Sequence, residues 1–180
     1  MPVTSPSERN WWDVPLGIHE KIWLTVVVLV GVGMFVMMPV WHVFGDQNPS
    51  TTSYRVSPDG YFEKVTQWVK EAERVEQGVK PPGQDAYLVA LRYAWFPNPL
   101  VLETGVPYRI HLSSKDVNHG FSLHKDGEAS QKVNFQVVPG YEYVLTMEFP
   151  EPGTYHIVCQ EYCGLGHQNM VGKIIVEEGS

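Results

Sequence analysis

The sequence predicts an all-β fold, a two-sheet sandwich of Greek-key type, preceded by one transmembrane helix and a short amphipathic helix. Three observations predict it. Residues 22–44 form a 23-residue apolar run in which the only titratable side chain is His42. From Asp85 onward, apolar and polar residues alternate with period two. Turn-forming residues interrupt that alternation at short intervals, with no helical pattern between them.

The chain opens with a polar lead, residues 1–21, containing Pro2, Pro6 and Pro15. The run at 22–44 exceeds the roughly 20 residues that cross a hydrocarbon core about 30 Å thick. Trp23 and Trp41 stand at its two ends, where amphipathic rings favour the headgroup region. A cleavable signal peptide fits less well, since its apolar core is about 7–15 residues and a small-residue cleavage site should follow. Arg9 and Lys21 precede the span and only Arg55 closely follows it, which favours an N-terminus inside the cell. The lead is then cytoplasmic, and the bulk of the chain lies on the outer, periplasmic side of the plasma membrane.

Residues 45–84 read as a linker carrying one helix. Residues 45–58 are polar and turn-forming, and Ser57 or Asp59 is placed to cap a helix over 60–77. Tyr61, Phe62, Val65, Trp68, Val69, Ala72 and Val75 recur in it at helical spacing, and Gly78, Pro81 and Pro82 end it. That apolar stripe fits two placements, against its own domain or against the membrane surface or a partner subunit.

Residues 85–180 form the β domain. Strands are expected at 87–93, 107–113, 120–124, 132–138, 143–149, 153–159 and 172–177. The turns between them include P-N-P at 97–99, K-D-G at 125–127, P-G at 139–140 and E-P-G at 151–153. A net charge of −7, with no basic cluster, excludes a nucleic-acid binder.

The chemistry is concentrated in C-Q-E-Y-C-G-L-G-H-Q-N-M, residues 159–170, which holds both cysteines of the chain. A disulfide between Cys159 and Cys163 would close a very small loop and leave His167 and Met170 unexplained. Structural zinc would want four Cys or His ligands, and Cys159, Cys163 and His167 supply three. Copper uses the whole set, because thiolate, imidazole and a weak thioether are the ligands of copper electron-transfer sites. Two thiolates can bridge two copper ions, and each ion then needs one imidazole and one weak ligand. Of His111, His119, His124 and His156, His119 is the best second imidazole, lying at a turn just past a predicted strand. His111 and His156 fall inside strands, and His124 beside the K-D-G turn reads as exposed.

D-V-N-H-G-F at 116–121, followed about forty residues later by the cysteine loop, resembles the binuclear copper (CuA) signature of heme-copper oxidase subunit II. The resemblance covers nearly the whole chain and implies a cupredoxin-like sandwich. It implies that His119, Cys159, Cys163, His167 and Met170 are side-chain ligands to two copper ions, and that Glu161 gives its backbone carbonyl. It further implies electron transfer from cytochrome c or a small copper protein, through this chain, to heme in the membrane-embedded subunit I. Tyr93, Trp95 and Phe96 match aromatic residues that the family keeps over the copper site, and Trp95 is the expected contact for the incoming electron. In A-type relatives a glutamate at the Glu161 offset helps hold magnesium at the subunit interface.

The single span departs from the two spans common in A-type subunits. With Glu20, Lys21 and Trp23 at its start it resembles the B-type branch, which implies that Glu20 marks the mouth of a proton pathway; an interfacial charge is the plainer alternative. A nitric oxide reductase carrying the same electron-accepting subunit is the alternative function. A membrane-tethered copper store is a second alternative, though it would be expected to carry Met-rich or His-rich tracts.

Overall fold

The computed structural model describes residues 15–44, 51–128 and 131–179. Most of the lead and the linker residues 45–50 lie outside the described residues. Two compact units are present, Met1–Gln47 and Asn48–Ser180.

The first unit carries α1, Ile18–Phe44. It starts four residues earlier than the apolar run because its N-terminus is capped: the Gly17 N–H donates to Glu20 Oε2 at 2.7 Å. The helix is apolar on every face and none of its residues is buried, so its length and composition suit a lipid core.

The second unit is a sandwich of two sheets. Its strands are β1 (Thr51–Arg55), β2 (Glu73–Val75), β3 (Gly78–Lys80), β4 (Asp85–Leu91), β5 (Ala94–Phe96), β6 (Leu100–Glu103), β7 (Pro107–Ser114), β8 (His119–Lys125), β9 (Gln131–Val137), β10 (Tyr141–Glu148), β11 (Gly153–Cys159) and β12 (Val171–Glu177). One sheet runs β1-β10-β7-β4-β5 and the other β2-β3-β6-β12-β11-β8-β9. Most neighbours are antiparallel, but β4 pairs parallel to β7, and β6 lies parallel to β12 and β3. Inward residues of both sheets, among them Leu88, Leu100, Ile110, Leu112, Phe121 and Ile157, are essentially inaccessible and make the core.

The helix α2, Pro58–Glu71, is capped by Ser57, whose Oγ accepts from the Gly60 N–H at 3.4 Å. Its Tyr61, Val65 and Val69 are buried against Val89 of β4, so the stripe packs on its own domain. Burial of a side chain such as Val65 stabilises by roughly 1.5–3 kcal/mol.

Three regions differ from the sequence reading. Residues 51–55 form an edge strand rather than linker, paired with β10 from Thr51↔Leu145 to Arg55↔Tyr141. All five are exposed, so no alternation marks them. The helix expected over 60–77 stops at Glu71, where Ala72 turns extended and leads into the β2–β3 hairpin. Ala72 and Val75, beyond its end, keep the helical spacing by coincidence. The strand expected over 87–93 turns back at Arg92 and Tyr93, and β5 returns against β4 with Leu91↔Ala94. With three and four residues, β5 and β6 are too short to show a period.

Candidate metal centre

The cysteine loop is a long excursion between adjacent antiparallel strands. Val158 of β11 pairs with Val171 of β12, and the Cys159 N–H donates to the Met170 carbonyl at 3.1 Å. Cys159 and Met170 are therefore fixed side by side at the root of the loop. On its other flank β11 pairs with β8, with Cys159 opposite Phe121. The Gln160 N–H donates to the Gly120 carbonyl at 3.2 Å, which brings the first residue of β8, His119, to the same end. The loop closes through a 3-10 turn over His167–Asn169, in which the His167 N–H donates to the Gly164 carbonyl at 3.1 Å.

The six expected ligand groups converge. Cys159 Sγ and Cys163 Sγ lie 3.9 Å apart, far beyond the ~2.05 Å of a disulfide, and both thiols are free. His119 Nδ1 lies 3.7 Å from Cys159 Sγ, and His167 Nδ1 lies 3.7 Å from Cys163 Sγ. The Glu161 carbonyl oxygen is 3.2 Å from Cys159 Sγ, and Met170 Sδ is 3.8 Å from Cys163 Sγ. Each sulfur thus has its own imidazole and its own weak donor. His119, Cys159, Cys163 and Met170 are buried, whereas His167 and Glu161 are half-buried. Burial and the neighbouring Cys159 push the Cys163 thiol up to about 11, so binding a cation here displaces protons.

One residue the sequence reading missed completes the site. Asp116 Oδ1 lies 2.8 Å from His119 Nε2, which leaves Nδ1 facing the sulfur. The same carboxylate accepts from the Arg92 N–H at 2.8 Å and the Val117 N–H at 2.7 Å. Burial alone would raise its pKa, but these hydrogen bonds outweigh that and lower it. A carboxylate three residues before a histidine was the signal available.

The aromatic residues divide. Trp95 is 2% exposed and packs edge-on to His119, with centroids 6.3 Å apart, and to Phe121 at 5.8 Å. The Trp95 ring therefore lies inside the domain and forms an inner wall of the site. Phe96, the next residue along β5, points to the opposite face and packs at 6.2 Å on Phe62 of α2. Tyr93, 38% exposed, reaches the surface. The loop itself presents Tyr162 and Leu165, 76% and 88% exposed.

The remaining histidines stay outside the site. His111 is buried, with Nδ1 2.6 Å from Glu142 Oε1 and Nε2 3.1 Å from Asp85 Oδ1. His124 is half-buried rather than exposed, its Nε2 2.8 Å from Ser122 Oγ. His156 Nε2 lies 3.7 Å from Asp126 Oδ1. Glu161 Oε1 accepts from Gln136 Nε2 at 2.9 Å.

No protein-family model matches the sequence. The chain is 32% identical over 163 residues to a cytochrome c oxidase subunit 2 of Thermus thermophilus, covering 89% of this chain and 92% of that protein. A second cytochrome c oxidase subunit 2 from Thermus thermophilus is 35% identical over 137 residues, covering 72% of this chain and 97% of that one. Among solved structures, a chain of a heme-copper terminal oxidase dimer superposes with a TM-score of 0.55 at 26% identity, covering 88% of this chain and 99% of its own length. An apolar N-terminal helix, a β-sandwich and matches that run nearly end to end make this chain a member of the cytochrome c oxidase subunit 2 family, the membrane-anchored electron-transfer subunits of heme-copper oxidoreductases.

Proposed function

We propose that the chain accepts single electrons at a binuclear copper centre held by His119, Cys159, the Glu161 carbonyl, Cys163, His167 and Met170, and delivers them to heme in subunit I. The observation that carries this reading is the paired arrangement of the donors. Two sulfurs 3.9 Å apart are each flanked by one imidazole nitrogen at 3.7 Å. Such a set offers two similar places, each with one imidazole and one weak donor and with two thiolates to share, which a disulfide or a single zinc would not use. Two copper ions, when bound, supply one exchangeable electron shared between them. The protein's part is to keep the donors still: β8, β11 and β12 fix three of them at strand ends, and Asp116 fixes the His119 ring.

The electron donor is cytochrome c or a small copper protein. Residues 45–180 carry 11 Lys and Arg against 17 Asp and Glu, a surplus that steers a basic partner. Tyr93, Tyr162 and Leu165 supply apolar contact close to the ligands. Glu20 takes protons in from the cytoplasmic side, and the Glu161 carboxylate offers one acidic oxygen to magnesium at the interface with subunit I.

The test is electron paramagnetic resonance of the full chain loaded with copper in detergent. A seven-line hyperfine pattern, one electron on two copper nuclei, is expected. A four-line pattern, or a native Cys159–Cys163 disulfide that takes up no metal, overturns the reading.

A further inference from the structure

We propose that Tyr93 is a positioning residue for the metal loop, its ring forming the floor on which Gly164 and Gly166 rest and thereby setting where His167 stands beside Cys163. The inference deepens the copper reading and rests on it for its spectroscopic arm.

Both glycines touch that ring. A Cβ added to Gly164 would lie 2.6 Å from Tyr93 Oη, and one added to Gly166 would lie 2.4 Å from Cδ2 and 2.6 Å from Cγ. No real side chain tolerates such distances, so the loop lies on the long axis of the ring, from its hydroxyl end to its root. Gly164 also holds a φ of +128°, which other residues rarely adopt. Between them Leu165 is 88% exposed, so the bulky residue that separates the two glycines is turned away from the ring.

The contact is transmitted directly to the imidazole. The Gly164 carbonyl accepts from the His167 N–H at 3.1 Å, and the Gly166 carbonyl accepts from the Asn169 N–H at 3.0 Å. The turn that carries His167 is therefore hydrogen-bonded to the two glycines seated on Tyr93. Tyr162 also approaches the His167 ring, at 5.9 Å, but it moves with the loop and cannot anchor it.

The turn that holds Tyr93 reaches the other imidazole as well. The Arg92 N–H donates to Asp116 Oδ2 at 2.8 Å, and Asp116 Oδ1 lies 2.8 Å from His119 Nε2. Arg92 and Tyr93 thus support both histidines from one place, through a carboxylate on one side and a ring on the other. Positioning groups of this kind hold ligand geometry to tolerances that the ligands alone do not set.

The experiment uses the full chain in detergent, with Tyr93→Phe, Tyr93→Ala, Gly166→Ala and the double variant Tyr93→Ala/Gly166→Ala. Tyr93→Phe keeps the ring and is expected to match the parent in copper affinity, hyperfine pattern and reduction potential. Tyr93→Ala is expected to lower copper affinity by about 10–100-fold and to alter the hyperfine splitting. Gly166→Ala is expected to do the same by pressing on the ring, and the double variant to recover part of that loss. Additive losses in the double variant, or a parental spectrum and affinity for Tyr93→Ala, overturn the inference. A metal-free arm separates the two readings: hydrogen exchange across residues 163–170 should quicken in Tyr93→Ala before any copper is added. Quickened exchange in a chain that binds no copper supports the inference while rejecting the copper reading, and unchanged exchange rejects the inference whatever the metal does.

Discussion

Cys159 Sγ and Cys163 Sγ face each other at 3.9 Å, one from the end of a strand and the other from a loop, with neither bonded to the other. Their roles are not interchangeable. Cys159 shares its side of the site with the Glu161 carbonyl and His119, and Cys163 shares its side with Met170 and His167. Cys159→Ser and Cys163→Ser should each abolish the shared-electron hyperfine pattern of the copper-loaded chain while leaving the far-ultraviolet circular dichroism of the sandwich unchanged. Retention of the pattern in either variant would contradict the paired-thiolate site.

Asp116 gives a second prediction. Because its carboxylate fixes the His119 ring, Asp116→Ala should weaken copper binding by about 10–100-fold in a chelator competition, and Asp116→Asn should weaken it less.

A third prediction concerns the buried cluster around His111. Glu142, 1% exposed, sits 2.6 Å from His111 Nδ1 and 3.1 Å from Lys64 Nζ, and the Tyr54 hydroxyl also bonds to it. These contacts join β10, β7, α2 and β1 at one carboxylate. Removing it leaves His111 Nδ1 and the Tyr54 hydroxyl without this partner, so Glu142→Ala should cost about 1–3 kcal/mol, read from denaturant unfolding of the metal-free chain.

The same cluster sets an acid limit. Two hydrogen bonds from Arg109, opposed by burial and aided by His111, lower the Asp85 carboxyl from 3.8 to about 2. Glu142 is also lowered, because the hydrogen bonds from Tyr54, His111 and Lys64 outweigh the opposing effect of burial. A carboxyl whose pKa falls on folding stabilises the protein above its unfolded value and loses that stabilisation as pH drops through its folded value. The melting temperature of the metal-free chain should therefore fall between about pH 4.5 and pH 2. Asp85→Asn should flatten the lower part of that fall, and added salt should shrink it, since Asp85 is 40% exposed.

A single substitution separates the two roles open to Glu20. It accepts the Gly17 N–H at the start of α1, a bond that glutamine can keep and alanine cannot. If Glu20 carries protons, Glu20→Gln should slow turnover of the assembled oxidase without altering the copper spectrum. If it only caps the helix, Glu20→Gln should turn over normally.

How much of this the sequence disclosed follows from how local each signal is. The donor groups proposed for the metal were legible as a set because five of the six lie within twelve residues and the sixth, His119, sits at the start of a strand. The seven longer strands were legible because their apolar residues run long enough to show a pattern and turn residues bound them. The edge strand β1 was not, since it buries neither face. The orientation of Trp95 against Phe96 depends on where β5 begins, a one-residue matter that reverses inward and outward. The His111 cluster includes pairs such as Lys64 and Glu142, 78 positions apart, and no local pattern announces contacts of that range.

The closeness of the two thiols has a cost during biogenesis. Until a cation lies between them, a small rotation of the loop and a two-electron oxidant suffice to join Cys159 to Cys163, releasing two protons and removing both thiolate donors at once. Wherever the surroundings are oxidising, metallation of this loop then competes with oxidation of its thiols. A thiol reductant would keep both sulfurs available until a metal ion binds.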